Sequence, residues 1–126
     1  MEKFFPTTEL KEASENKPIV GYLPEDGRDP NPAWDLVANA VWPATKENQT
    51  AREALADAFM VASNTASVYN DARNAALIMA RMSQILMGKS WVDRWLWDNS
   101  DDVHRGRKPL PQKVHNIKRI YESLFV

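Results

Sequence analysis

Hydrophobic side chains recur every three or four residues through the middle of the chain, which is the period of an amphipathic α-helix. The most regular run covers residues 68–87, with steps of four and three between Val68, Ala72, Ala75, Met79, Met82 and Leu86. The polar side of this run is reduced to Arg73, Arg81 and Gln84. We therefore predict a central helix over residues 68–87 that is buried on most of its circumference.

A second stripe follows Thr50-Ala51-Arg52-Glu53, which matches a capping box with Thr50 as the N-cap. The inward residues of the helix that it predicts are Leu55, Ala58, Phe59 and Ala62. The weak helix formers Ser63-Asn64-Thr65 indicate a break or kink further along. A third stripe predicts a final helix over about residues 110–124, and its members are Leu110, Val114, Ile117, Tyr121 and Leu124.

Proline and glycine mark where these helices begin and end. Asn31-Pro32 supplies an N-cap followed by proline at the first helical position, so we predict a helix that begins at Pro32 and ends near Pro43. The inward side of this helix is expected to carry Leu36, Val37, Ala40 and Val41. Gly88 is the expected C-cap of the central helix, and a short helix should follow it to about Asp98, with residues 99–102 as a loop.

The first thirty residues hold few hydrophobic side chains and four of the eight prolines, which is typical of an irregular arm with at most a short helix from Glu9. The chain has 126 residues, enough for one packed core and too few for two ordinary domains. We therefore predict a single compact all-α domain of four to six helices, with an acidic arm over residues 1–30 and a helical core over residues 31–126.

Several classes of chemistry are excluded or disfavoured by residue content. The chain has no cysteine, so disulfides, thiolate metal sites and cysteine nucleophiles are excluded. The sequence contains no zinc-protease, phosphate-loop, dinucleotide or nucleophile-elbow motif, and the two histidines, His104 and His115, stand among cations. The acids from Asp98 to Asp102 lack the glycine and glutamate of a calcium loop. We expect a protein that is not an enzyme and that needs no metal or cofactor.

Charge is distributed unevenly along the chain although the total is only -1. Residues 1–49 carry a net charge of -4, residues 50–103 carry -2, and residues 104–126 carry +5. Basic side chains of the last segment are candidate phosphate contacts: Arg105, Arg107, Lys108, Lys113, Lys118 and Arg119. Within it, Arg105-Gly106-Arg107-Lys108-Pro109 resembles the AT-hook core Arg-Gly-Arg-Pro, with Lys108 inserted before the proline. That resemblance implies contact with the minor groove of DNA.

Two other interpretations compete with DNA binding by this segment. The cations can instead solvate the last helix and balance the acidic N-terminal half of the chain. Alternatively, the helix over residues 68–87, the Gly88-Lys89-Ser90 turn and the helix from Trp91 have the order of a helix-turn-helix. Asp93 and Asp98 argue against that motif because carboxylates in a recognition helix repel phosphate.

Tryptophans give the leading functional hypothesis. Trp91 and Trp95 share one helix face and are expected in the core, whereas Trp97 projects roughly opposite and needs another cover. Either the N-terminal arm covers Trp97, or Trp97 and Arg94 form a candidate partner-binding pair. We expect a small regulator or inhibitor, plausible for a phage or mobile element, that docks on a protein or a protein and nucleic-acid machine. The alternative is a DNA-binding transcriptional regulator that uses residues 104–119.

No stretch is long and apolar enough for a membrane span and no export signal is visible, so we expect a cytoplasmic protein without a membrane partner.

Overall fold

The computed structural model describes Glu9, Leu10 and Glu12 together with residues 32–100 and 115–122. These residues form one compact helical domain and include no β-strand, which confirms the predicted fold class. Within residues 32–100 and 115–122 the α-helices in chain order are α1 (Pro32–Leu36), α2 (Trp42–Thr45), α3 (Gln49–Ala66), α4 (Arg73–Met87), α5 (Lys89–Ser100) and α6 (His115–Glu122). Most of the predicted N-terminal arm lies outside the described residues, but Leu10 is helical and fully buried in the core.

Pro43 does not end the first helical stretch, so that prediction is wrong. A π-helical turn over Val37–Val41 joins α1 to α2, and the Trp42 N–H donates to the carbonyl of Val37, five residues back. Pro43 then occupies the first turn of α2, where a residue without an N–H costs no hydrogen bond. The wide turn therefore lets the chain continue as a helix through a residue that normally stops one.

The buried side of this first stretch also differs from the expected one. Leu36 and Ala40 are exposed, whereas the buried residues are Ala33, Trp34, Val37, Ala38, Trp42 and Thr45. The π-turn contributes to this difference because it adds a residue to one turn and so rotates all the residues that follow. Arg52 of α3 lies over the Trp42 ring, 5.2 Å from its centroid, and partial burial there lowers the pKa of the guanidinium.

The N-cap of helix α3 lies two residues before Thr50, the predicted N-cap. Asn48 is the N-cap, with an extended backbone and a side-chain Oδ1 that accepts a hydrogen bond from the Ala51 N–H at 3.0 Å. Thr50 therefore lies inside the helix, and the carboxylate of Glu53 accepts a hydrogen bond from Trp91 instead. Helix α3 also runs without a break through Ser63-Asn64-Thr65 to Ala66.

The predicted inward stripe of α3 is wrong as well. Leu55, Ala58 and Ala62 are exposed and Phe59 is half-buried. The buried residues of the helix are Ala56, Met60, Ser63 and Asn64, which lie on a different face. Ala56 and Ser63 on this face are small because α3 packs closely against α4, where a serine hydroxyl fits and bonds to a backbone carbonyl.

Helix α4 is the central helix, as predicted, and contacts α1, α3, α5 and α6. It begins at Arg73 rather than at Val68, because Asn70–Ala72 forms a 3-10 turn first. Asn and Asp favour such turns since their side chains compete for backbone hydrogen bonds. Gly88 is the C-cap, as predicted: its φ of 88° suits glycine, and its N–H donates to the Gln84 carbonyl.

The core has two parts, which involve opposite ends of the α3 and α4 pair. The first joins Leu10 and the α1 to α2 stretch to Ala56 and the C-terminal end of α4. The second joins Met60 to α4, α5 and α6 through Ala76, Ala80, Val92, Trp95, Leu96, Ile117 and Tyr121. Ile117 and Tyr121 belong to the predicted stripe of the last helix, whose other members lie outside the described residues. No helix among residues 32–100 and 115–122 has the length and apolar character of a membrane span.

Candidate partner-binding surface

Helix α5 presents its three tryptophans to three different environments. Trp95 is buried, Trp91 is half-buried, and the Trp97 side chain is 50% exposed. The difference follows from helical spacing: at 100° per residue, position 97 projects about 160° away from position 95 and about 120° away from position 91. The prediction that Trp97 lies apart from Trp91 and Trp95 is confirmed, although Trp91 is less buried than a core residue.

Carboxylates of α3 hold the two inner tryptophans. The indole N–H of Trp91 donates to Oε1 of Glu53 at 2.9 Å, and that of Trp95 donates to Oδ1 of Asp57 at 2.7 Å. Glu53 and Asp57 are one turn apart on α3, as Trp91 and Trp95 are on α5, so the two bonds form successive rungs between the helices. These rungs fix both rings and leave an open groove beside them.

The groove between α3 and α5 has a volume of about 470 Å³. Its charged lining within the described part of the chain comes from Glu53, Asp57 and Asp98 and from one cation, Arg94, so these residues give the groove an excess of negative charge. Trp91 and Trp95 supply its aromatic wall. A surface of this kind attracts a cationic side chain and offers it an aromatic face.

Arg94 and Trp97 lie next to each other on the outward side of α5. They are three residues apart, which places them on adjacent turns of one face, and both are exposed. Arg94 lines the groove whereas Trp97 does not, so together they extend from the groove rim to the open surface of the helix. An ion pair between Lys89 and Asp93, at 2.6 Å, lies on α5 one turn before Trp97.

The structure describes only part of the predicted basic surface. On α6, Lys118 is half-buried and Arg119 is exposed, while Arg105, Arg107, Lys108 and Lys113 lie outside the described residues. Of the two histidines, His104 is also outside and His115 is the first residue of α6. Asn99 and Ser100, predicted as loop, are the last residues of α5. No group of side chains with metal-ligand character occurs in the described ranges.

The prediction that Gln84 lies on the polar side of the central helix is wrong. Gln84 is fully buried, and its Oε1 accepts a hydrogen bond from the Tyr121 hydroxyl at 3.0 Å. Burial, reinforced by the negative charge of Asp93, raises the pKa of Tyr121 well above its ordinary range. This pair links α4 to α6 across 37 residues of sequence, so spacing within one helix gives no sign of it.

A second cavity, of about 330 Å³, includes Arg119 in its lining. The other residues of this cavity, above all Tyr69 and Arg73, were not predicted to accompany Arg119 in a site. Both were assigned to a single helix over residues 68–87, in which an exposed aromatic ring had no special position. The 3-10 turn that separates Tyr69 from α4 is what exposes this ring.

Comparison of the chain with protein-family models, with curated proteins and with solved structures gives no match.

Proposed function

We propose that the protein acts by stoichiometric docking on another protein, with Trp97 and Arg94 of α5 as its main contacts. The observation that supports this is the exposure of Trp97, two residues from a buried tryptophan on the same helix. Tryptophan and arginine are the residues most enriched at binding hot spots because each combines a large contact area with a specific polar group. The protein then serves as a small non-enzymatic regulator or inhibitor of a larger assembly.

Charge in the neighbouring groove defines the chemistry of the partner. Three carboxylates and one guanidinium of the described residues line the groove, so a partner that inserts a lysine or arginine gains charge-assisted hydrogen bonds there. The partner must also present an apolar side chain to Trp97, since the indole ring contributes most when it is fully desolvated. We therefore propose a partner segment in which basic and hydrophobic residues are adjacent.

The partner is identified by cross-linking from α5 itself. A photoreactive amino acid at Ser90, which is exposed and two turns before Trp97 on the same face, should capture the partner in a host lysate. The same group at Leu36, a residue of α1 that is 49% exposed, is the control for non-specific capture. The captured protein is then purified and its affinity for the chain is measured directly.

Trp97→Ala should weaken that affinity about thirtyfold, which corresponds to a loss of about 2 kcal/mol. Arg94→Ala should weaken it as well, whereas Leu36→Ala removes a similarly exposed side chain elsewhere and should leave it unchanged. Equal affinities of Trp97→Ala and the unmodified chain for the purified partner would exclude this surface as the docking site.

DNA binding by residues 104–119 stays a prediction with its own test. Joint replacement of Arg105, Arg107 and Lys108 should weaken DNA binding and reduce its salt dependence by up to about three phosphate contacts. Absence of any DNA retention at low salt by the unmodified chain would eliminate this function.

A further inference from the structure

The second cavity lies where the C-terminal end of α3, the start of α4 and the exposed side of α6 meet. Its volume of about 330 Å³ is at the lower end of the range for small-ligand pockets, roughly 300 to 1,000 Å³. Arg73 and Arg119, 46 positions apart in sequence, both line it, and they are accompanied by Ser67, Tyr69 and Asn70. The fold thus brings two guanidinium groups and an aromatic ring to one small site.

Electrostatics in this cavity favour an anion. Among the described residues of the lining, both charged side chains are arginines, and the described acids nearest to them in sequence, Asp71 and Glu122, are not part of it. Arg73 forms no ion pair with any residue that the structure describes, although it is exposed and stands at the first position of α4. Two guanidinium groups in one cavity present the planar, multiple donors that match phosphate oxygens.

Tyr69 adds a second kind of contact. Its side chain is 57% exposed, and its backbone is extended in the short connection between α3 and α4. The ring therefore contributes little to the core, and a large aromatic surface is left beside the two arginines. An exposed aromatic face next to cations is the arrangement with which proteins stack a nucleobase while they hold its phosphate.

We propose that this cavity binds a nucleoside phosphate, with the phosphate held by Arg73 and Arg119 and the base stacked on Tyr69. Asn70 offers a further hydrogen-bonding side chain in the same lining, whereas the Ser67 hydroxyl already donates to the Asn64 carbonyl at 2.7 Å. A free mononucleotide and one unit of a single-stranded nucleic acid share this chemistry. Among the described lining residues, only Arg119 belongs to the predicted basic segment, and none belongs to the docking surface on α5.

The test measures fluorescence anisotropy of a labelled, single-stranded oligothymidylate with the full chain at low salt. Thymidine monophosphate and inorganic phosphate are the unlabelled competitors. Arg73→Gln and Arg119→Gln should each weaken binding about tenfold and reduce the salt slope by about one phosphate contact. Arg73→Lys should restore the slope without the full affinity, because lysine keeps the charge and loses the bidentate geometry.

Tyr69→Leu separates stacking from charge. It should weaken binding about tenfold with an unchanged salt slope, since leucine keeps apolar bulk but has no aromatic face. Lys46→Gln is the control for overall charge, because Lys46 is an exposed cation that pairs with Glu9 at 3.7 Å and lies outside the cavity. Its affinity should equal that of the unmodified chain, and circular dichroism should show unchanged helix content in every variant.

The source of the phosphate is decided by the competitors. Displacement by thymidine monophosphate at concentrations comparable to the oligomer supports a free nucleotide as the ligand, and a much tighter oligomer supports a strand. The proposal is overturned by any of three results: no binding by the unmodified chain, equal losses in Lys46→Gln and Arg73→Gln, or no effect of Tyr69→Leu together with equal competition by inorganic phosphate.

Discussion

Helix α3 packs against two neighbours in opposite ways, and the contrast shows how side-chain size sets the function of a surface. Toward α4 it forms a close, buried seam of small residues. The hydroxyl of Ser63 donates to the Ala76 carbonyl at 2.6 Å, and that of Ser83 donates to the Ala56 carbonyl at 2.7 Å. Toward α5 it forms an open groove, with two tryptophans on one side and two carboxylates on the other.

The seam owes its closeness to residues without long side chains. A serine of one helix lies opposite an alanine of the other at both hydrogen-bonded positions. The small side chains let the two backbones approach until the serine hydroxyl reaches the facing carbonyl. Residues 56 and 63 of α3 match residues 83 and 76 of α4, so the helices run antiparallel and the two bonds point in opposite directions. Because both hydroxyls are satisfied in a buried place, the polar atoms cause no loss of stability.

The groove stays open for the opposite reason. Indole rings are too large to lie flat between two closely packed helices, and their N–H groups bond to carboxylates that keep contact with water. The seam therefore stabilises the fold, whereas the groove leaves surface available for a partner.

The largest effect is expected where the groove meets the core. Trp95 belongs to the core and to the groove wall, so Trp95→Ala should lower the free energy of unfolding by about 3 to 5 kcal/mol. Trp97→Ala, at an exposed position of the same helix, should change it by no more than about 0.5 kcal/mol. Urea unfolding of both variants provides the measurement, and equal losses would show that Trp97 is a core residue.

The next prediction concerns a substitution that overpacks the seam and leaves the groove unchanged. Ala76→Leu inserts a large side chain where a buried alanine faces Ser63, and it should destabilise the domain by about 1 to 3 kcal/mol. Ala75→Leu is the matched control because Ala75 is the preceding residue of α4 and is exposed. The two variants are compared by thermal and urea unfolding. Similar midpoints would mean that the seam is loosely packed.

The positions of the helices could be predicted from the sequence better than the sides on which they are buried. The fold class, the central helix, the Gly88 C-cap and the opposite orientations of Trp95 and Trp97 follow from local spacing, and all are confirmed. The α3 face was wrong because a hydrophobic stripe favours Leu55 over Ser63. The usable signal was an alanine and a serine seven residues apart in each helix, at 56 and 63 and again at 76 and 83.

Other features depend on contacts between distant parts of the chain. Gln84 is polar and fully buried, with its Oε1 bonded to the Tyr121 hydroxyl and its Nε2 without a hydrogen-bond partner among the described residues. The groove and the second cavity likewise combine residues that lie tens of positions apart. A single sequence indicates which residues are able to take part in such sites, whereas their partners follow only from the packed helices.

Titration of Tyr121 gives a pH test of the core on the α5 and α6 side of the seam. Burial raises the pKa of Tyr121 above that of the unfolded chain, so the folded state retains a proton that the unfolded state releases above about pH 10. Stability is therefore complete below about pH 10 and falls above it, by up to about 1.4 kcal/mol per pH unit. Urea unfolding over this range should show the fall, and Tyr121→Phe should reduce it.

Tyr69→Phe is the control for this titration. This change keeps Tyr121 and its hydrogen bond to Gln84, so the alkaline loss of stability should persist. Tyr121→Phe also deprives Gln84 of its donor and should cost about 1 to 3 kcal/mol at neutral pH. An undiminished alkaline slope in Tyr121→Phe would assign that slope to other groups.

The smallest effects compare one hydrogen bond in each region. Ser83→Ala deletes the buried bond to the Ala56 carbonyl and should cost about 1 kcal/mol, the usual net value of an intramolecular hydrogen bond. Glu53→Ala deletes the exposed bond to the Trp91 indole, and water replaces it there, so the cost should stay within about 0.5 kcal/mol. Both changes leave alanine inside a helix, which keeps the differences in helix propensity small.

Denaturant unfolding of the two single variants and of the double variant should give additive losses, since the bonds share no partner. A larger loss for Glu53→Ala than for Ser83→Ala would mean that the groove, rather than the seam, holds α3 in place.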